Sequence, residues 1–106
     1  MIYQLFLVQL KAKTSMAQTE ELMAVARTRL LKIPAIYHVW CGKKIDSAQA
    51  PHDLFIAIDV QSMRKLKSVT AHPIYSQFMQ HTLKPHAREI IELSFEMDPQ
   101  KDVRYS

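Results

Sequence analysis

The sequence predicts an α+β fold, in which one four-stranded antiparallel sheet lies under helices on a single face, in split β-α-β order. Three observations carry this expectation. Four stretches, at 2–11, 36–43, 53–60 and 88–97, alternate or enrich in β-branched and aromatic residues as strands do. Helical three- and four-residue spacing fills the gaps after the first and third of them. Finally, the strands carry apolar residues on two faces, where a sheet covered on one side only would show a clean polar face.

The first strand places Ile2, Gln4, Phe6, Val8 and Leu10 on one face and Tyr3, Leu5, Leu7, Gln9 and Lys11 on the other. Thr14 and Ser15 are good N-caps for a helix running to about 32, with Glu20 and Glu21 in its early turns. Met16, Thr19, Met23, Ala26 and Leu30, with Leu22 beside them, form the stripe expected to lie over the sheet. Arg27, Arg29 and Lys32 suit the helix's carboxyl end, and Pro34 ends it.

A second strand is expected over 36–43, with the lone glycine, Gly42, marking a bend or bulge where it ends. Residues 44–52 form a polar connection. In the third strand, Leu54, Ile56, Ile58 and Val60 share one face and Asp53, Phe55, Ala57 and Asp59 the other. A short helix follows over about 62–71. Pro73 then suits the first turn of another helix carrying Ile74, Phe78 and Leu83, until Pro85 breaks it. In the last strand Ile91, Leu93, Phe95 and Met97 are expected to point inward, with Glu92 and Glu96 opposite. The domain thus spans 1–99, and 100–106 forms a polar C-terminal tail.

This order is the ferredoxin-like one. Its helices cover one sheet face. The other still presents Tyr3, Leu5, Leu7 and Phe55, with Tyr37 and Val39 as additions. At about 25 cal/mol per Å², roughly 500 Å² of such surface would forgo about 12 kcal/mol if left in water, before association entropy is subtracted. The expectation is a homodimer joined through these sheet faces as a dimeric α+β barrel, with Tyr3, Leu5, Leu7 and Phe55 in the interface.

In this order the chain resembles the stress-responsive A/B barrel (Dabb) family, over nearly everything from Met1 to about Pro99. The opening Met-Ile-Tyr-Gln-Leu-Phe-Leu-Val-Gln-Leu-Lys is similar to the family's first strand. Ile33-Pro34-Ala35 and then Val39 to Gly42 match its helix exit and second strand. His52-Asp53-Leu54 stands where the family often has Tyr-Asp before apolar residues. Most specific is Ala71-His72-Pro73-Ile74-Tyr75-Ser76-Gln77-Phe78, similar to the family's Ala-His-Pro-x-His-x-x-Phe segment. The resemblance implies a dimeric barrel whose subunits hold at most a small apolar ligand between helices and sheet. That pocket would be lined by Gln4, Phe6, Met23, Ala26, Leu54, His72, Tyr75 and Phe78.

A polyketide cyclase of this likeness uses Tyr-x-x-His-Pro-x-His. Here Val69 replaces its tyrosine, Tyr75 its second histidine, and Gln4 a further pocket histidine. That acid–base pair is missing, because valine has no proton to move and a tyrosine with an ordinary pKa of about 10 is a poor base at neutral pH. His72 and Tyr75 remain the candidates for a catalytic role, in a small cyclase, isomerase or cofactor-free oxygenase acting on an aromatic or polyketide-like compound. A purely structural dimer is the third reading.

Other classes fit less well. His72, His81 and His86 lack metal-ligand spacing and no cysteine cluster accompanies them, so neither metal nor cofactor is expected. The strand order is also that of the RRM, but Asp53 and Asp59 share a face with Phe55 and no glycine lies near, which argues against nucleic acid. The net charge of +4 is mild, and its carriers are spread along the chain except at Lys43-Lys44 and Arg64-Lys65-Lys67. Cys41 is alone, as in a reducing compartment, and reads as a small apolar strand residue. The apolar opening stops at Lys11 and lacks a basic leader, so a cytoplasmic protein without a membrane span is expected.

Overall fold

A computed structural model of the chain describes residues 1–45 and 51–98. The expected connection at 46–50 and tail at 99–106 lie outside the described residues. The elements run β1 (Ile2–Leu10), α1 (Met16–Leu30), β2 (Val39–Lys43), β3 (Leu54–Val60), α2 (Met63–Thr70), α3 (Pro73–Gln77) and β4 (Ala87–Glu96). The four strands form one sheet in the order β2-β3-β1-β4, antiparallel throughout. This is the expected α+β ferredoxin-like arrangement.

Local chemistry sets the helix starts. Ser15 accepts from the Gln18 amide at 3.1 Å, while Gln18 Oε1 accepts from the Ser15 amide at 2.9 Å, closing a capping box. Thr19, Leu22, Ala26 and Leu30 are buried against the sheet, and Thr19 hides its hydroxyl by donating to the Ser15 carbonyl. Met16 departs from the expected stripe. At the first helical position it stays 60% exposed.

Ser62 caps α2, and His72 caps α3 ahead of Pro73. The run after Pro73 does not stay α-helical. Phe78–Leu83 widens into a π-helix and Lys84–His86 tightens into a 3-10 turn, burying Phe78, Met79 and Leu83. Pro85 has no amide to continue the helical ladder, which is why the chain leaves the helix here.

The core lies between α1, the α3–π segment and one sheet face, where Phe6, Val8, Ile56, Ile58, Val60, Phe78 and Leu83 are sealed from solvent. β1 alternates strictly, with Ile2, Gln4, Phe6, Val8 and Leu10 buried and the residues between them half-buried.

Pairing corrects the face assignment of β4. Gln4 stands opposite Ser94 and Phe6 opposite Glu92, whereas Tyr3, Leu5 and Leu7 stand opposite Phe95, Leu93 and Ile91. Cross-strand partners share a face, so Ile91, Leu93 and Phe95 point away from the helices and Glu92 and Glu96 lie on the helix side. Alternation separates two faces, but only register says which one is covered.

Two further expectations change. Val39 pairs with Ile58 and is buried, so it belongs to the core; Trp40, opposite Ala57, joins the outer face instead. Tyr37 lies before β2 and is exposed. Gly42 sits in regular pairing opposite Phe55 without a positive φ, and the sheet's irregularity falls between Gln9 and Leu10.

Replacing Ser15 with Ala removes one half of the capping box and should lower stability by about 1 kcal/mol. Denaturant unfolding with an unchanged slope would measure it.

Candidate functional site

The sequence places its candidate ligand residues on the helix side of the sheet, and the structure brings them together there as packed core. Phe6, Ala26, Leu54 and Phe78 are buried completely or nearly so, and Met23 is half-buried. The Phe6 and Tyr75 rings sit 6.3 Å apart. Gln4 is buried, and its Oε1 accepts a hydrogen bond from the Ser94 hydroxyl, so the amide has a protein partner across β1 and β4.

His72 has a structural duty. Its Nδ1 accepts from the Ile74 amide at 3.1 Å, which caps α3 and leaves the ring proton on Nε2. Tyr75 carries a phenol pushed up to about 12, first by burial and then by the Glu92 carboxylate. Such a group stays protonated near neutrality, where it is a poor base and can only donate or accept a hydrogen bond. Burial also pushes the Cys41 thiol up, against the pull of Arg27, and its Sγ faces the Met23 carbonyl at 3.6 Å. A raised pKa lowers the share of thiolate, the reactive form, near neutrality.

The outer sheet face holds a second assembly. Tyr3 and Trp40 stack at 5.4 Å with 8° between their planes, and His38 stacks on Trp40 at 5.2 Å. Asp59, only 3% exposed, takes the His38 amide on one oxygen and Nδ1 on the other, the latter at 2.9 Å. The carboxylate accepts, so Nδ1 of this largely exposed ring carries a proton. Sequence reasoning treated Asp59 only as a charge repelling phosphate. Its alternation with Phe55 and Ala57 was visible; the histidine 21 positions away was not.

A further cleft among the described residues lies elsewhere, at the end of the sheet where β1 finishes and β4 begins. It measures about 520 Å³. Lys11, Lys13, Lys43, Lys44 and Arg88 line it beside Leu10, Met16 and Asp53. The fold thus gathers cations that the sequence spreads over 78 positions, from 11 to 88. Among the described residues no group of three or more His, Cys, Asp or Glu is placed to hold a metal ion, and no helix is long and apolar enough to cross a membrane.

No family model matches the chain, and neither does any curated protein. Solved structures do match. The chain is similar to a dabb family protein with a ferredoxin-like fold from Mesorhizobium loti, at 14% identity over 91% of this chain and 95% of that one, with a TM-score of 0.79. A dimeric ferredoxin-like protein of unknown function from Thermobifida fusca gives 14% identity over 91% and 90% of the two chains and the same TM-score of 0.79. SnoaB, a cofactor-independent oxygenase from Streptomyces nogalater, matches at 10% identity over 94% of each chain, with a TM-score of 0.73. At these identities the likeness establishes the fold.

The raised Tyr75 phenol sets a pH dependence. The unfolded chain's tyrosine loses its proton near 10 and the folded one near 12, so the folded state holds the proton more tightly between them. Its contribution is complete below about pH 10 and is lost as pH rises toward 12, on the order of 1 kcal/mol once solvent screening is discounted. Tyr75→Phe should flatten this decline, read from denaturant midpoints between pH 9 and 12.

Proposed function

We propose that this chain, which has the fold of a dabb family protein, is a Dabb-type domain over residues 1–99 that works as a homodimer. Two copies meet through the outer faces of their sheets and close an α+β barrel. The observation that carries this reading is the apolar outer face. Tyr3, Leu5 and Leu7 stand in one row with Phe55 and Ala57 on one side and Ile91, Leu93 and Phe95 on the other. Leu93 and Phe95 are 37% and 50% exposed in the single chain. An apolar patch of this kind, continuous across three strands, normally meets a partner. The Thermobifida fusca neighbour is itself dimeric, which supports a second copy as that partner.

At most a small apolar molecule binds this domain, between α1, α3 and the sheet, near Gln4, Met23, Leu54, His72 and Tyr75. Half-buried Tyr75 stands beside Phe6 in this region, their rings 6.3 Å apart. His72 shapes the entrance through the α3 cap rather than by proton transfer.

A second reading, a small cyclase, isomerase or cofactor-free oxygenase acting on an aromatic or polyketide-like compound, is favoured by the His38–Asp59 pair. Asp59 fixes the tautomer and His38 Nε2 takes the proton, beside an aromatic wall of Trp40 and Tyr3. The oxygenase named among the neighbours acts without a cofactor, which suits such chemistry.

Light scattering tests the first reading. The wild-type chain should run at twice its 12.3 kDa mass, and Leu5→Asp with Leu93→Asp should halve it while far-UV circular dichroism is retained. A monomeric wild type overturns the proposal. The second reading predicts that the protein accelerates solvent deuterium uptake by a 1,3-diketone, followed by NMR. His38→Ala should lose the acceleration and Tyr75→Phe should keep it; an exchange rate equal to that in buffer excludes the reading.

A further inference from the structure

We propose that the cleft at the end of the sheet is a binding site for a small organic anion with an apolar body, such as an aromatic carboxylate or phosphate monoester. The site is separate from both the sheet face and the space under the helices. Its walls come from four directions: Lys11 and Lys13 after β1, Met16 at the start of α1, Lys43 and Lys44 at the end of β2, and Arg88 in β4.

Charge arithmetic sets it apart from a solvated surface. The chain has 14 Lys and Arg against 10 Asp and Glu. Five of those cations and one of those carboxylates, Asp53, line the cleft. The described lining thus carries five positive charges against one negative, and charges of one sign around a concavity focus the field on an entering anion.

Internal pairing does not use this charge up. Asp53 is committed to the fold, accepting from the Leu10 amide at 2.9 Å and from Lys44 at 3.2 Å, and Lys43 reaches Glu20 at 2.8 Å. Among the described residues Lys11, Lys13 and Arg88 have no ion pair. Arg88 offers a planar fork that matches a carboxylate or phosphate, and the lysines add point charges. Leu10 and Met16 supply apolar wall for the body of the ligand. A volume of about 520 Å³ accommodates a molecule of that size.

The test is titration of the full chain with phenyl phosphate, followed by calorimetry and by backbone amide NMR. Saturable binding is expected, competed by benzoate and by inorganic phosphate but not by benzyl alcohol. The amides of residues 11–14, 43–44 and 88 should shift together. Lys13→Gln combined with Arg88→Gln should weaken binding tenfold or more, whereas Arg64→Gln with Lys65→Gln, on α2, should change it less than twofold. Absence of saturation below about 10 mM, shifts centred away from those residues, equal binding of benzyl alcohol, or equal losses in the two double variants would each overturn the proposal. The shift map on the wild-type chain decides the matter even where a variant fails to fold.

Discussion

β1 has a hydrogen-bonded neighbour along each edge, β3 on one side and β4 on the other, so its side chains can leave only above or below the sheet. Both of those directions are apolar over most of its length. Helices occupy the space above, where Phe6 and Val8 are sealed beneath α1 and the α3–π segment. Below the sheet the described residues leave Leu5 and Leu7 half-exposed. The rest of the architecture answers to that doubled demand: β3 extends the inner surface with Leu54, Ile56, Ile58 and Val60, while β4 lends the outer one Ile91, Leu93 and Phe95.

Two polar side chains sit within this greasy sheet, and each is answered. Gln4 would leave a buried amide unpaired if Ser94 did not donate across the strand boundary. Asp59 would be an uncompensated buried carboxylate without the amide and ring of His38. Leaving either group without a partner costs more than a typical hydrogen bond contributes, about 1–3 kcal/mol and more for a charge. A one-residue slip of β4 would take Ser94 from Gln4, so this pair holds the register that places Leu93 and Phe95 outside.

Local signals in the sequence were sufficient for the elements that depend on neighbours along the chain. Ser15 capping α1, Ser62 capping α2 and His72 before Pro73 are all decided within a few residues. The order of strands and the fold class followed from alternation. What alternation could not supply was which face of β4 and β2 lies under the helices, because both faces of β4's partner β1 are apolar; hence Ile91, Leu93, Phe95 and Val39 changed sides. The two polar assemblies were hidden for a different reason. His38 and Asp59 stand 21 positions apart, and Lys13 and Arg88 stand 75 apart, so no spacing rule links them until the sheet is assembled. The π-helical widening at Phe78–Leu83 also escaped, since its residues are ordinary helix formers until Lys84-Pro85.

The pairing of β1 with β4 has a consequence for biosynthesis. The strand that opens the chain finds one of its two lateral partners only after residue 96 has left the ribosome, because Ile2 pairs with Glu96. Until then β1 can dock on β3 but keeps a bare edge, with backbone groups unpaired along an apolar strand. Contacts so distant in sequence form late, and loop closure must be completed before they contribute. A translating polysome carrying this message therefore exposes many copies of the same sticky, half-finished sheet at close quarters, a situation that calls for chaperone shielding during synthesis.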